Sequence, residues 1–191
     1  MLRTGTRSAI LGALLIALPA GTGAAQPPRV NASAAVIQDF LKRVDGYVAH
    51  HKKLESTLPK LPEQTTPQLI DTHQRALAAL IQAERQHARP GDLLTPAMQQ
   101  RIRTLLRPVF SGADGRQIRD EIVDREYKGN VKLAVNGRYP DEVPISTVPP
   151  QVLRALPKLP EELEYRFIQN SLILFDSHAH IIVDYMNRAF T

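Results

Sequence analysis

Leu163-Glu164-Tyr165-Arg166-Phe167-Ile168-Gln169, then Asn170-Ser171, then Leu172-Ile173-Leu174-Phe175-Asp176, and after a break through His180, Ile181-Ile182-Val183-Asp184-Tyr185-Met186: this stretch decides the fold class. Its first segment alternates, with Leu163, Tyr165 and Phe167 on one face and Glu164 and Arg166 on the other. Period-2 alternation marks a half-buried strand, and a short unbroken apolar run marks a strand buried on both faces. The polar breaks are short, and Asn tolerates positive φ, so both suit hairpin connections. The reading is a three-stranded antiparallel meander with its most apolar strand in the middle.

Working outward, residues 128–162 hold many prolines. Val131, Leu133 and Val135 alternate with Lys132 and Ala134, predicting a strand that ends at the Asn136-Gly137 turn. Pro140, Pro144, Pro149, Pro150, Pro157 and Pro160 leave room for one short helix, about Pro150 to Leu156, lying on one face of the meander.

Upstream the period changes to that of helices. Val36, Ile37, Phe40, Leu41, Val44, Tyr47, Val48, Leu54 and Leu58 predict an amphipathic helix over 30–58, capped by Asn31 or Ser33 and stopped by Pro59 and Pro62. Thr66-Pro67 and Thr95-Pro96 are each a cap followed by proline at the first helical position. The second helix carries Ile70, His73, Leu77, Leu80, Ile81, Glu84 and His87 along one side. The third carries Met98, Ile102, Leu105, Leu106, Val109 and Phe110, with a kink or end expected near Leu106 because of Pro108. A fourth, shorter helix follows through Ile118, Ile122 and Val123. The expected fold class is therefore α+β: an N-terminal bundle of about four helices over 26–127, packed with a C-terminal proline-rich segment and three-stranded meander over 128–191.

The first 25 residues read as a signal peptide: basic Arg3 and Arg7, an apolar run from Ala9 to Ala20, and small residues up to a cut after Ala25. The expected location is periplasmic or secreted, with no stable membrane span after cleavage. The chain has no Cys, which excludes a disulfide framework, a lipidated N-terminal cysteine and a thiol nucleophile. Without Arg3 and Arg7 the basic count falls from 24 to 22 against 19 acids, so the charge falls from +5 to +3. A balance that mild, with no Trp and no basic cluster interleaved with aromatics, argues against nucleic acid as a partner.

Candidate chemistry is sparse. Asp176-Ser177-His178-Ala179-His180 places a His-x-His pair after an apolar strand, and resembles the first metal-ligand motif of the amidohydrolase superfamily, which includes TatD-type nucleases. There the motif opens a (β/α)8 barrel whose later strands supply further ligands, whereas only 11 residues follow His180. The favoured reading is two turn histidines, with Asp176, His178 and His180 as residual metal candidates. His73 and His87 share a helix face and His50 and His51 lie on the first helix, so a cross-helix metal site is the other alternative. Arg116 to Lys128 alternates in sign as a solvated helix face does, and Asp141-Glu142 is an acidic pair with no evident partner. No serine elbow, phosphate-binding glycine loop or His-Glu-x-x-His helix occurs.

The tail Leu156-Pro157-Lys158-Leu159-Pro160-Glu161-Glu162-Leu163-Glu164-Tyr165-Arg166-Phe167, with Leu172-Ile173-Leu174-Phe175-Asp176 and Ile181-Ile182-Val183-Asp184, resembles the C-terminal hairpin of the periplasmic nickel/cobalt homeostasis (RcnB-like) proteins. The stretch from Val135-Asn136-Gly137-Arg138-Tyr139-Pro140 onward is similar to exported bacterial proteins of unknown function. The resemblance implies an envelope location and hairpin topology, and no ligand residue. The functional expectation is an exported, non-catalytic protein without cofactor that binds an envelope protein partner. The alternatives are a periplasmic metal-binding protein using His178 and His180, and a metal-dependent hydrolase.

Overall fold

The computed structural model describes residues 31–123, 131–143 and 147–190. The expected signal peptide and its cut after Ala25 lie outside the described residues, as does the charged run beyond residue 123.

The first helix, α1, spans Ala32–Glu55, and Asn31 caps it by accepting from the Ser33 N–H at 3.1 Å. It ends three residues short of the predicted Leu58. There the hydroxyls of Ser56 and Thr57 take the carbonyls of Lys53 and Leu54, so side chains compete with the helical backbone. Helix α2 spans Pro67–Glu84 and α3 spans Pro96–Ser111, capped by Thr66 and Thr95 as their Thr-Pro signals predict. The α2 stripe stops before His87, which lies beyond the helix. The expected end of α3 near Leu106 does not occur: Pro108 is accommodated inside the helix. The carbonyl that its missing N–H would have met belongs to Thr104, an exposed position where solvent can substitute. Helix α4, Gly115–Val123, turns back so closely on α3 that a Cβ at Gly115 would lie 2.1 Å from the Phe110 carbonyl oxygen.

The sheet has four strands rather than three: β1 Gly137–Arg138, β2 Leu163–Ile168, β3 Ser171–Asp176 and β4 Ile181–Met186, in the order β1-β4-β3-β2. All neighbours are antiparallel. The alternating segment 131–135 forms no strand; the pairing starts at Asn136-Gly137 itself, where the Asn136 N–H donates to the Ile182 carbonyl at 2.7 Å. Val131 and Leu133 pack as partly buried side chains instead, so their alternation reflects a buried face without a ladder. A fifth helix, α5 Pro150–Ala155, precedes β2 and buries Val152 in the core.

Every residue of β3 is buried. Leu172 and Leu174 join the main core with Phe40, Leu77, Met98 and Phe110 of the helices, while Ile173 and Phe175 join a smaller core on the other face with Tyr139, Val143 and Ile182. The central strand is thus sandwiched, and helices and meander share one continuous apolar interior. A bulge shifts the β3–β4 register between Leu174 and Phe175. Val183 packs into the helix-side core, and the next carboxylate, Asp184, meets the backbone of Leu93 and Leu94 of that same core.

Candidate metal centre

The turn that joins β3 to β4 separates the two histidines of the His-x-His pair. Ala179 between them is fully buried, and His180 takes a left-handed φ of 54°. The His180 ring stands edge-on to Phe175 and Tyr139, in the smaller core, 3.8 Å from Asp141. His178 points to α1: its Nδ1 lies 3.0 Å from a Glu55 oxygen and its ring centroid 5.4 Å from that of His51. Both histidines lie in the turn, as the favoured reading has them, and the alternative pairing of His178 with His180 as ligands does not assemble. Asp176 does not reach outward as a third ligand either; it is fully buried and accepts from Tyr47 Oη at 2.5 Å and from the N–H groups of His178 and Ala179.

What converges is His51, Glu55 and His178, whose ligand atoms all lie within 4.8 Å of one another. His51 and Glu55 are one helical turn apart on α1, an i,i+4 spacing that places both on one face. His51 is fully buried; the Glu55 and His178 side chains are 29% and 42% exposed, so the cluster opens from a dry base to solvent. His51 Nδ1 lies 2.6 Å from an Asp176 oxygen. Its Nε2 is buried without a well-formed hydrogen bond, 3.3 Å from Glu55. Donors around a tetrahedral zinc with bonds of about 2.1 Å stand about 3.4 Å apart. The His51–Glu55 separation already matches that spacing, and the two exposed side chains can close the rest.

The electrostatics are those of an acid-rich pocket around an imidazole. Burial pushes the His51 pKa down, but the bond and charge of Asp176 and the charge of Glu55 outweigh it and hold the ring above its ordinary value. Burial, with Asp176 second, raises the Tyr47 hydroxyl well above the usual phenol range. A carboxylate on Nδ1 fixes the orientation of the ring and makes Nε2, once a cation displaces its proton, a stronger ligand, the bracing found behind metal-bound histidines. Next to the cluster, Lys52, Leu58, Pro59, Leu61 and His73 line a groove of about 400 Å³ that includes Glu55.

The cross-helix histidine site does not assemble: His50 meets Glu84 at 3.7 Å, and among the described residues no other cluster of potential ligands forms. Asp141, without an evident partner in the sequence, is paired with Arg138 at 3.0 Å. The sequence reading missed Glu55 and the part played by His51. The available signal was the spacing His51-x-x-x-Glu55, which had no visible third member because His178 lies more than 120 positions away.

Comparison with protein families, with curated proteins and with solved structures finds no match to the chain. Among the described residues no helix is long and apolar enough to cross a membrane.

Proposed function

We propose that this chain is an exported, non-catalytic binding protein that holds a divalent transition-metal ion on His51, Glu55 and His178. The supporting observation is the convergence of His51, Glu55 and His178 within 4.8 Å, with the buried His51 Nε2 facing Glu55 at 3.3 Å while Asp176 holds the opposite nitrogen. Two imidazoles and a carboxylate suit zinc, nickel or cobalt better than the hard ions calcium and magnesium, which favour all-oxygen shells. Export rests on the basic, apolar and small-residue segments of the N-terminus. Binding is preferred to hydrolysis because, on this reading, Glu55 is taken up as a ligand and Asp176 is engaged behind His51, so that neither is placed to activate water. At the exposed end of the cluster a donor from an envelope protein could complete the ion's coordination.

Equilibrium dialysis of the mature chain with zinc, nickel and cobalt tests this. One ion per chain is expected, with affinity lowered about tenfold or more by His178→Ala and unchanged by His180→Ala. Equal uptake by His178→Ala and the parent would remove the site. Metal-dependent cleavage of a nitrophenyl phosphodiester, abolished by the same substitution, would replace the binding protein with a hydrolase.

A further inference from the structure

A second site lies at the far end of α3. There Arg103, Arg107, Arg116, Arg119 and Arg188 surround a cavity of about 560 Å³ whose apolar lining is Leu106, Phe110, Ala113, Ala189 and Phe190; among the described residues no acidic side chain lines it. The placement follows from helix periodicity. Arg103 and Arg107 are one turn apart on α3, Arg116 and Arg119 are three apart on α4, and the tight corner at Gly115 turns the two pairs toward one space. Two of the guanidiniums are held in place: Arg103 donates to the carbonyls of Asn187 and Arg188 at 2.9 and 3.0 Å, and Arg119 donates to the Phe110 carbonyl at 2.6 Å. Arg107, Arg116 and Arg188 are exposed. Phe110 and Phe190 pack at 4.6 Å between centroids and form an aromatic floor.

Like charges one turn apart weaken a helix, and five cations around one cavity repel one another, so beyond the backbone bonds of Arg103 and Arg119 the cluster opposes stability. It is the composition of an anion site, because planar guanidiniums match the oxygens of a phosphate in pairs. The volume suits a small organic molecule, and the phenyl floor suits an apolar body. We infer that this cavity binds a phosphate monoester or diester bearing an aromatic or aliphatic group, with the phosphate among Arg107, Arg116 and Arg119 and the apolar part on Phe110 and Phe190. The site shares no residue with the proposed metal centre.

The mature chain is titrated by calorimetry with phenyl phosphate, inorganic phosphate, and vesicles of phosphatidylglycerol or phosphatidylcholine. Expected are saturable one-site binding of phenyl phosphate, tighter than inorganic phosphate, and a loss of about tenfold or more in Arg107→Ala/Arg116→Ala. Both residues are exposed, so the double variant keeps its fold, which circular dichroism checks. If phosphatidylglycerol vesicles also bind and the double variant releases them, the phosphate is that of a lipid headgroup; if they do not, the ligand is a soluble ester, and both results uphold the pocket. No saturable binding of phenyl phosphate, or equal weakening by a control change at Lys42 and Lys53 on α1, overturns it.

Discussion

The Asp184 carboxylate, fully buried on β4, accepts the Leu94 backbone N–H at 2.8 Å. The same group accepts from Leu93 at 2.8 Å and Gly91 at 2.9 Å, so one side chain gathers the second half of the connection between α2 and α3. Asp184→Ala strands these donors in a dry interior, at about 1–3 kcal/mol for each orphaned group. A urea unfolding midpoint that falls sharply, with an unchanged slope, is expected. Loss of less than about 1 kcal/mol would mean that water replaces the carboxylate.

Leu174 gives the test of the sandwiched strand. It is fully buried between the sheet and the helices, and Leu174→Asp places a charge without a partner in that core. The cost is several kcal/mol, enough to unfold most domains of this size. Glu164, two-fifths exposed and paired with Arg166, should tolerate Glu164→Lys at less than about 1 kcal/mol. Similar melting temperatures for the two variants would contradict the described burial.

Glu162 sets an acid-side dependence. Burial alone would raise its carboxyl, but the Lys52 ammonium at 2.7 Å and the residue's own backbone N–H hold it below the usual carboxylate range. A carboxyl with a lower pKa folded than unfolded contributes stability above the unfolded value of about 4.3 and loses it as pH falls through the folded value. Between pH 6 and pH 3 the parent should therefore lose more stability than Glu162→Gln, the two curves converging at the acid end. Parallel curves across that range would remove Glu162 from the account.

The meander was legible because each of its strands has a burial demand that residue type expresses directly. Leu172-Ile173-Leu174-Phe175 has no polar position, and the structure gives it two apolar faces. The helix starts at Thr66-Pro67 and Thr95-Pro96 were legible for the same local reason. What failed depended on distant geometry. Gly137 and Arg138 form a strand because β4 offers a free edge, which nothing in a two-residue segment encodes. Pro108 sits where exposed Thr104 can bond to water, a matter of which way the helix faces. The candidate metal centre was half visible: Asp176 and His178 were singled out, yet their partners on α1 could be matched to them only once the topology placed that helix over the β3–β4 turn.

That separation of the ligands along the chain has a thermodynamic consequence. His51 and Glu55 come from the first helix and His178 from the last hairpin, so an unfolded chain holds His178 far from the other two donors and would grip an ion poorly. An ion seated there acts as a rivet between the two ends of the polypeptide. By mass action it adds about 2.7 kcal/mol when its free concentration is a hundred times the dissociation constant. On the proposed reading, the lifetime of the protein against proteolysis would follow the supply of metal around it.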